Sequence, residues 1–406
     1  MSATSGSAHT LQSSEGQTCL VGDEIYLRHA APDDADVGMS WQDTRFPVAP
    51  ERIRALIDEG QDSGGNDRLH LVIARRSDDR PVGSLTVFTE DFPHTFVGAH
   101  VDPLFGEDGW RWKGEALALM LRHVVDEWRR PVVTTRLPAD ETPAIAALER
   151  AGAREVARHR EIFQRNGLRV DSVIFELLDA AWIDRLGDPA RRELPRSGTG
   201  VARPVTPPTP IDGDPPANAV RIGPRVYLRP VQKRDSETAA AAALRDPDTS
   251  WSNGPYAFSA GAFWNDVQED QTPNPPRRLD FAVCLRESDA LIGFVGLLHI
   301  NYTHRFAESA SEIIHDDYRG GGFGSEAKHL MFDYAFNTLG LHMVQSWVRF
   351  ENTRSAAALR KQGYRDAGRV DWFTARDGAF TSTSTFDLLA DEWRTMPRYP
   401  SGDMNP

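Results

Sequence analysis

From Glu308 to Leu339 the chain reads ESASEIIHDDYRGGGFGSEAKHLMFDYAFNTL, a strand, a run of glycines and then a helix. Glu308–Ile314 has the character of a strand. The residues Asp316-Asp317-Tyr318-Arg319-Gly320-Gly321-Gly322-Phe323-Gly324 form a turn, and the next residues predict a helix over Ser325–Leu339. In that helix Ala327, Leu330, Met331, Tyr334 and Ala335 recur at i, i+3, i+4, i+7 and i+8, so one face is buried. A strand that runs through glycines into a helix suits an anionic ligand. The first-turn N–H groups have no intrahelical partner, the helix dipole favours negative charge there, and glycine lets the backbone approach closely. Taken alone, such a turn is also an ordinary strand-to-helix connection.

Working outward, a strand is expected at His342–Phe350. It is followed by Glu351-Asn352-Thr353-Arg354-Ser355, a short helix, and Gly363-Tyr364. Much of this order has a counterpart nearer the N-terminus. Ile25-Tyr26-Leu27-Arg28 matches Val226-Tyr227-Leu228-Arg229, and the alternating Leu69–Ala74 matches Leu279–Leu285. Val82-Gly83 matches Ile292-Gly293. The closing segments keep one offset of 211 residues: Gly152 and Gly363 (363 − 152), Asn166 and Asp377 (377 − 166), Phe175 and Phe386 (386 − 175), Trp182 and Trp393. A repeat this long means two copies of a domain rather than a solenoid. Each copy runs strand, helical region, hairpin, strand, helix, strand, helix, hairpin, an α/β arrangement with a mixed sheet. Between the copies, Leu194–Asn218 holds Pro195, Pro204, Pro207, Pro208, Pro210, Pro215 and Pro216 and reads as a linker. The expected organisation is a polar tail at 1–20, a domain at 21–185, a proline-rich linker at 186–219, a second domain at 220–397 and a tail at 398–406.

Composition narrows the function. With 40% hydrophobic and 26% charged residues in 406, the chain has the make-up of a globular protein. It contains no apolar run near the ~20 residues that span a bilayer, and its N-terminus lacks the basic and apolar regions of a secretory signal. Two cysteines, Cys19 and Cys284, make neither a disulfide framework nor a four-ligand metal site, so the cytoplasm is the expected compartment. A net charge of −13 argues against nucleic acid as a partner. It is compatible with a cationic amine substrate and equally with a solvated acidic surface.

Several spaced motifs together resemble the GNAT acyltransferases, in particular their ribosomal-protein-acetylating branch. Arg319-Gly320-Gly321-Gly322-Phe323-Gly324 matches the family's Arg/Gln-x-x-Gly-x-Gly/Ala. Tyr334–Phe336 with Leu339-Gly340-Leu341-His342 matches the aromatic and Gly-Leu-His run that follows. Asn352, Ser355, Gly363 and Tyr364 match Asn-x-x-Ser and a Gly-aromatic pair, and Asp387–Leu389 with Glu392-Trp393 matches the closing motif. The resemblance covers roughly Val226 to Trp393. It implies two GNAT-like domains in tandem, each a mixed, splayed central sheet flanked by helices. The pantetheine arm of acetyl-CoA or a longer acyl-CoA would lie between Glu308–Ile314 and His342–Phe350. The pyrophosphate would be held at Arg319–Gly324 and Ser325, with Ile313, Ile314 and Asn352 also contacting the donor, and no metal is expected.

The implied chemistry is attack of an amine on a thioester. An amine with pKa ~10 is about one part in a thousand neutral at pH 7, so a base helps. Glu308, Glu312, His315 and Asp316 lie on or just past the splayed strand. Glu312 ranks first, and His315 has a suitable intrinsic pKa. Glu308 and Glu312 share one strand face. The oxyanion needs a backbone N–H near Ile313–Asp316. Ser355 is the candidate donor to the departing thiolate, since Leu359 stands where many relatives have a tyrosine. Each residue has a plainer reading too: Asn352 as an N-cap, Ser355 as a first-turn serine, the acids as solvated strand carboxylates. Trp251, Tyr256, Phe263, Trp264, Tyr302 and Phe306 would line a roomy acceptor pocket or belong to the core.

In the first copy Glu141 stands in the place of Asn352, and Ala144 in that of Ser355. The turn is replaced by Asp108-Gly109-Trp110-Arg111-Trp112-Lys113. This half therefore reads as a degenerate copy, leaving one site. The expected activity is N-acyl transfer from acyl-CoA to a primary amine of a small molecule or peptide, in a monomer or homodimer. Two alternatives stay open. One takes its acyl group from phosphopantetheine on an acyl carrier protein, in natural-product modification. The other is a non-catalytic acyl-CoA sensor or scaffold.

Overall fold

The computed structural model describes residues 9–12, 18–37, 49–62, 68–89, 92–189, 202–210, 213–245, 259–376 and 378–399. The expected residues Trp251 and Tyr256 lie outside them. The first half contains β1 (His9–Gln12), β2 (Thr18–Val21), β3 (Ile25–Arg28), α1 (Pro50–Asp62), β4 (Arg68–Arg75), β5 (Pro81–Phe88) and β6 (His94–Val101). It continues with α2 (Gly106–Asp126), β7 (Val132–Pro138), α3 (Thr142–Arg150), β8 (Arg154–Arg165), β9 (Leu168–Leu178) and α4 (Ala180–Leu186). The second half contains β10 (Arg221–Ile222), β11 (Val226–Pro230), α5 (Asp235–Arg245), α6 (Ala260–Gln271), β12 (Leu279–Leu285), β13 (Leu291–Asn301) and β14 (Phe306–Ile313). After these come α7 (Phe323–Asp333), β15 (Met343–Arg349), α8 (Thr353–Lys361), β16 (Arg365–Arg376), β17 (Ala379–Leu389) and α9 (Ala390–Thr395).

The strands join into one mixed sheet of 17. Following the pairings from one edge gives β1-β2-β3-β4-β5-β6-β7-β9-β8-β16-β17-β15-β14-β13-β12-β11-β10. Two pairs are parallel, β6 with β7 and β14 with β15, and the rest are antiparallel. At the centre, Ala157 of β8 pairs with Gly368 of β16, and 368 − 157 is again 211. A position paired antiparallel with its own counterpart places a local two-fold between the halves.

Each half has its own apolar core on one face of the sheet. Leu117, Met120, Leu121 and Val124 of α2 meet Ile73, Leu85, Val133 and Phe175. Leu330, Met331 and Phe332 of α7 meet Val283, Val295, Val344 and Phe386. The helix expected at Ser325–Leu339 starts earlier, at Phe323, and after Asp333 widens into a π-helical turn over Tyr334–Thr338. The polar tail expected at 1–20 includes a short hairpin, β1 with β2. Part of the linker is docked as well. Val205 is fully buried in the second core, its N–H donates to Pro397 O at 2.7 Å, and its carbonyl accepts from Tyr399 N at 3.1 Å. Arg203 N and Thr209 N also donate, to Lys361 O and Ile222 O, so the run is tied at several points.

Candidate functional site

The glycine turn is built as the sequence suggests. Gly320 and Gly322 have φ of 83° and 80°, which side-chain-bearing residues rarely adopt. Gly322 is the N-cap of α7, and no side chain caps the helix. Its first-turn N–H groups thus face outward without intrahelical partners. The turn is held from behind. Arg225 Nη1 donates to Gly321 O at 2.8 Å, and its guanidinium lies 4.3 Å from the Phe323 ring centroid. Buried Glu326 accepts from Arg225 N, Val226 N and Arg225 Nε, pinning α7 to β11. Arg319 donates to Ile313 O at 2.8 Å and pairs with Asp316 at 2.7 Å. Its guanidinium braces the turn against β14, a structural task within the motif.

Beyond the turn, the sheet forks. β14 and β15 pair only over Phe306–Glu308 and Met343–Gln345. Past that point β14 stays with β13, and β15 stays with β17 as far as Arg349. The apex is stitched by side chains: Ser309 Oγ donates to Gln345 O at 3.2 Å, and Ser346 Oγ to Ser309 O at 3.1 Å. Because the Ser309 proton is directed at Gln345, the 2.5 Å contact with Tyr364 Oη is one in which the phenol donates. Ile314 N donates to Ile292 O at 2.9 Å, so Gly293 and Ile313 are a non-hydrogen-bonded pair. The alternation of an antiparallel ladder then turns the N–H groups of Ser309, Ser311 and Ile313 toward the fork. Of the expected pair, Ile313 presents its N–H to the opening. Ile314 does not, and its side chain is buried with Phe263 and Phe294.

At the apex stands a small ionisable cluster. Glu308, half-buried and opposite Gln345, has its carboxyl pushed up to about 7 by burial, against the opposing pull of Arg136 and Lys328. Lys328, on α7 and almost wholly buried, is pushed down to about 7 by burial, with Glu308 favouring its charge. Its ammonium lies 5.4 Å from the Tyr364 ring centroid. Burial also raises the Tyr364 phenol. Glu312, the first-ranked base, sits four residues along the same face, opposite Phe294 and away from the apex. His315 follows the strand, its ring 6.4 Å from that of Tyr318. Lys328 and Arg136 were missed in the sequence. Lys328 looks like a helix-surface lysine, and Arg136 belongs to the other half.

Asn352 caps α8, its Oδ1 accepting from Ser355 N at 3.0 Å. The Ser355 hydroxyl has no hydrogen-bond partner among the described residues. The aromatics expected around an acceptor are largely structural. Phe263 is core with Trp264 beside it, and Tyr302 Oη donates to Pro276 O at 2.8 Å.

The corresponding place in the first half is closed. Asp108–Lys113, expected as a corrupted turn, is helix: α2 begins at Gly106, so these N–H groups enter the helical ladder. Gly114 lies so close to α3 that a Cβ there would sit 2.6 Å from Ala144 Cα. The counterparts of these two residues are Ser325 and Ser355, and α7 and α8 do not come together in this way. Lys113 pairs with buried Glu141 at 2.8 Å, and Arg165 also binds Glu141. The matched fork registers place Phe96 where the second half has Glu308, and Val97 where it has Ser309. The 211-residue offset gives Leu117 for Lys328 and Ala153 for Tyr364. None of the four can ionise.

Residues 225–365 match the acetyltransferase (GNAT) domain family. An uncharacterized N-acetyltransferase, p20, of Bacillus licheniformis is 28% identical over 113 residues, which is 28% of this chain and 63% of that protein. The uncharacterized N-acetyltransferase YoaA of Bacillus subtilis is 25% identical over 166 residues, 41% of this chain and 93% of that protein. Among solved structures, spermidine N-acetyltransferase from Vibrio cholerae in complex with CoA and spermine aligns over 42% of this chain and 98% of its own, at 23% identity and a TM-score of 0.38. On the family match, residues 225–365 in the C-terminal part of the chain carry a GNAT acetyltransferase domain.

Proposed function

We propose that residues 220–397 form an acyl-CoA-dependent N-acyltransferase with one active site, at the fork of β14 and β15. Residues 21–185 are then a second copy of the fold that has lost its donor site. The observation that carries this reading is the contrast between the halves. The open fork, uncapped glycine turn and ionisable apex occur together in one, while the other has helix, closed packing and Phe96, Val97, Leu117 and Ala153.

The donor pyrophosphate meets the N–H groups at Gly320–Ser325, and the thioester arm enters between β14 and β15. The Asn352 amide nitrogen stays available to the arm while Oδ1 caps α8. The amine nitrogen attacks the thioester carbonyl carbon, forming C–N, and its surplus proton passes to the Glu308 carboxylate. The developing oxyanion is met by the Ile313 N–H, a donor already aimed into the fork. The C–S bond breaks, and the thiolate accepts a hydrogen bond from the Ser355 hydroxyl and takes up, through water, the proton that Glu308 received. Glu308 is preferred to Glu312 and His315 as base because a carboxyl poised near neutrality is half ionised at working pH. Retention of the three glycines favours a donor with a pyrophosphate over a carrier protein with one bridging phosphate.

Calorimetry with acetyl-CoA, and thiol release with an amine panel, test the reading. Binding lost in Gly322→Val, together with amine-dependent thiol release, is the expected result. Absence of acetyl-CoA binding to the wild-type chain would overturn it.

A further inference from the structure

The face of the fork that carries Glu308 looks toward the first half, and one side chain crosses to it. Arg136, on β7, places its guanidinium 5.9 Å from the Trp347 ring centroid. Since 347 − 136 is 211, Arg136 and Trp347 are counterparts meeting near the local two-fold. Trp347 is fixed by stacking on Phe373 at 5.7 Å and by the edge of His159 at 5.8 Å. Gln345 and Trp347 lie on the same face of β15, and Gln345 is the register partner of Glu308. Glu308 thus shares a sheet face with Gln345 and with Trp347, whose ring Arg136 meets.

Two features of this junction are unfinished. Arg136 is partly buried, enough to pull its pKa down to about 10, and it has no ion pair and no hydrogen bond among the described residues. A partly buried guanidinium with free N–H groups can be reached by an anion from solvent. Three neighbouring arginines at this junction, Arg154, Arg160 and Arg365, are each paired with carboxylates. Gln345 is 4% exposed, and its Oε1 has no hydrogen-bond partner. A buried amide oxygen without a donor, beside a carboxylate and facing an unpaired cation, matches a ligand with an amine at one end and an anion at the other.

We infer that the acceptor is an amine that carries a carboxylate, an amino acid or short peptide. Arg136 of the first half holds the carboxylate, while Gln345 and Glu308 face the amine. This rests on the transfer reading above and adds to it a substrate class and a role for the first half. A carboxylate meets two N–H groups along one edge of the Arg136 guanidinium in a planar geometry, which an ammonium-only ligand cannot do. Gln345 Oε1 gains a donor from the neutral or charged amine, and Glu308 lies beside that nitrogen to accept its proton. The acidic surface of the chain, at net −13, attracts cations without distinction. Selection for a carboxylate has to come from a local positive group such as this one.

The experiment compares acyl transfer to the twenty amino acids and a set of dipeptides with transfer to the matched amines lacking the carboxylate, for example lysine against cadaverine. The wild-type chain is expected to prefer the carboxylate-bearing member of at least one pair. Arg136→Met should reduce that preference on the order of 10- to 100-fold, chiefly through KM, the range for losing a charge-assisted hydrogen-bonded pair. Arg136→Lys, which keeps the charge without the fork, should fall between. Acetyl-CoA binding is measured on the same samples, and retained binding by Arg136→Met shows that the second half is intact. If no pair shows the preference, or the preference survives Arg136→Met while acetyl-CoA still binds, the inference falls and the transfer reading stands. If acetyl-CoA does not bind the wild-type chain, both fall.

Discussion

Glu308 and Lys328 illustrate how two groups share one environment: burial disfavours the charge on each, and each charge favours the other. If Glu308 is the base, transfer rises with pH as it loses its proton, with a midpoint of about 7. Glu308→Gln should lower kcat on the order of 10²-fold or more and flatten that limb of the profile. An unchanged midpoint in the variant would assign the base elsewhere, with Glu312 and His315 the next to replace. Lys328→Met removes a cation that favours the Glu308 carboxylate, so the midpoint should move to higher pH; a profile that stays in place would show the two are uncoupled. At this scale the sequence was partly legible. Strand alternation put Glu308 and Glu312 on one face, but only Glu308 has a register partner on β15, which departs from β14 after it. That departure is a property of two strands separated in sequence, and neither one encodes it alone.

At the scale of the element, the two halves show what one turn requires. Gly322 has φ 80°, so Gly322→Val should introduce roughly 1–3 kcal/mol of backbone strain and weaken acetyl-CoA binding in calorimetry. A value of Kd within error of wild type would remove the turn from the donor site. The reciprocal change lies in α2. Gly114→Ser restores the residue type found at Ser325 but pushes a Cβ to 2.6 Å from Ala144 Cα. It should destabilise the chain by about 1–3 kcal/mol in urea denaturation, while acetyl-CoA affinity stays unchanged. The strand, the glycines and the helix were legible locally, as was the 211-residue offset. The state of Asp108–Lys113 was not. Read by alignment it was a spoiled turn, yet Glu107 and Asp108 suit the first turn of a helix. Without a glycine triplet to break it, α2 simply starts earlier.

Across the whole molecule, the central junction joins counterpart strands whose charges correspond at Arg154 and Arg365 and at Glu176 and Asp387, but not at Arg160 and Asp371. Asp387, fully buried, is held by Arg160 at 2.8 Å and Arg365 at 2.5 Å, and Arg160 reaches on to Glu392. On the other side of the local two-fold, Glu176 is held by Arg154 at 2.6 Å, but the place of Arg160 (160 + 211) is taken by Asp371, whose N–H donates to Glu176. A pair made from two second halves would set Asp371 against Asp387 on both sides, whereas the chain has one such carboxylate pair, Asp371 with Glu176, bridged by Arg154. The arrangement found in the chain sets Arg160 against Asp387, which favours the pairing of unlike halves that brings Arg136 to the fork. Asp387→Asn should leave two arginines facing one another without their common carboxylate. The loss should fall toward the lower end of ~3–5 kcal/mol, since both arginines retain contact with water. The arginines hold the Asp387 carboxyl below its ordinary 3.8 despite burial. Its contribution is therefore present above that value and lost as pH falls through the lower, folded one. Urea midpoints followed against pH should show the wild-type advantage over Asp387→Asn intact at neutral pH and closing below about pH 4. A gap that persists unchanged into strong acid would mean that the junction is held by its apolar contacts, Ala157, Ile174 and Val370 with Trp347 and Phe373, and that the charges set only which halves pair.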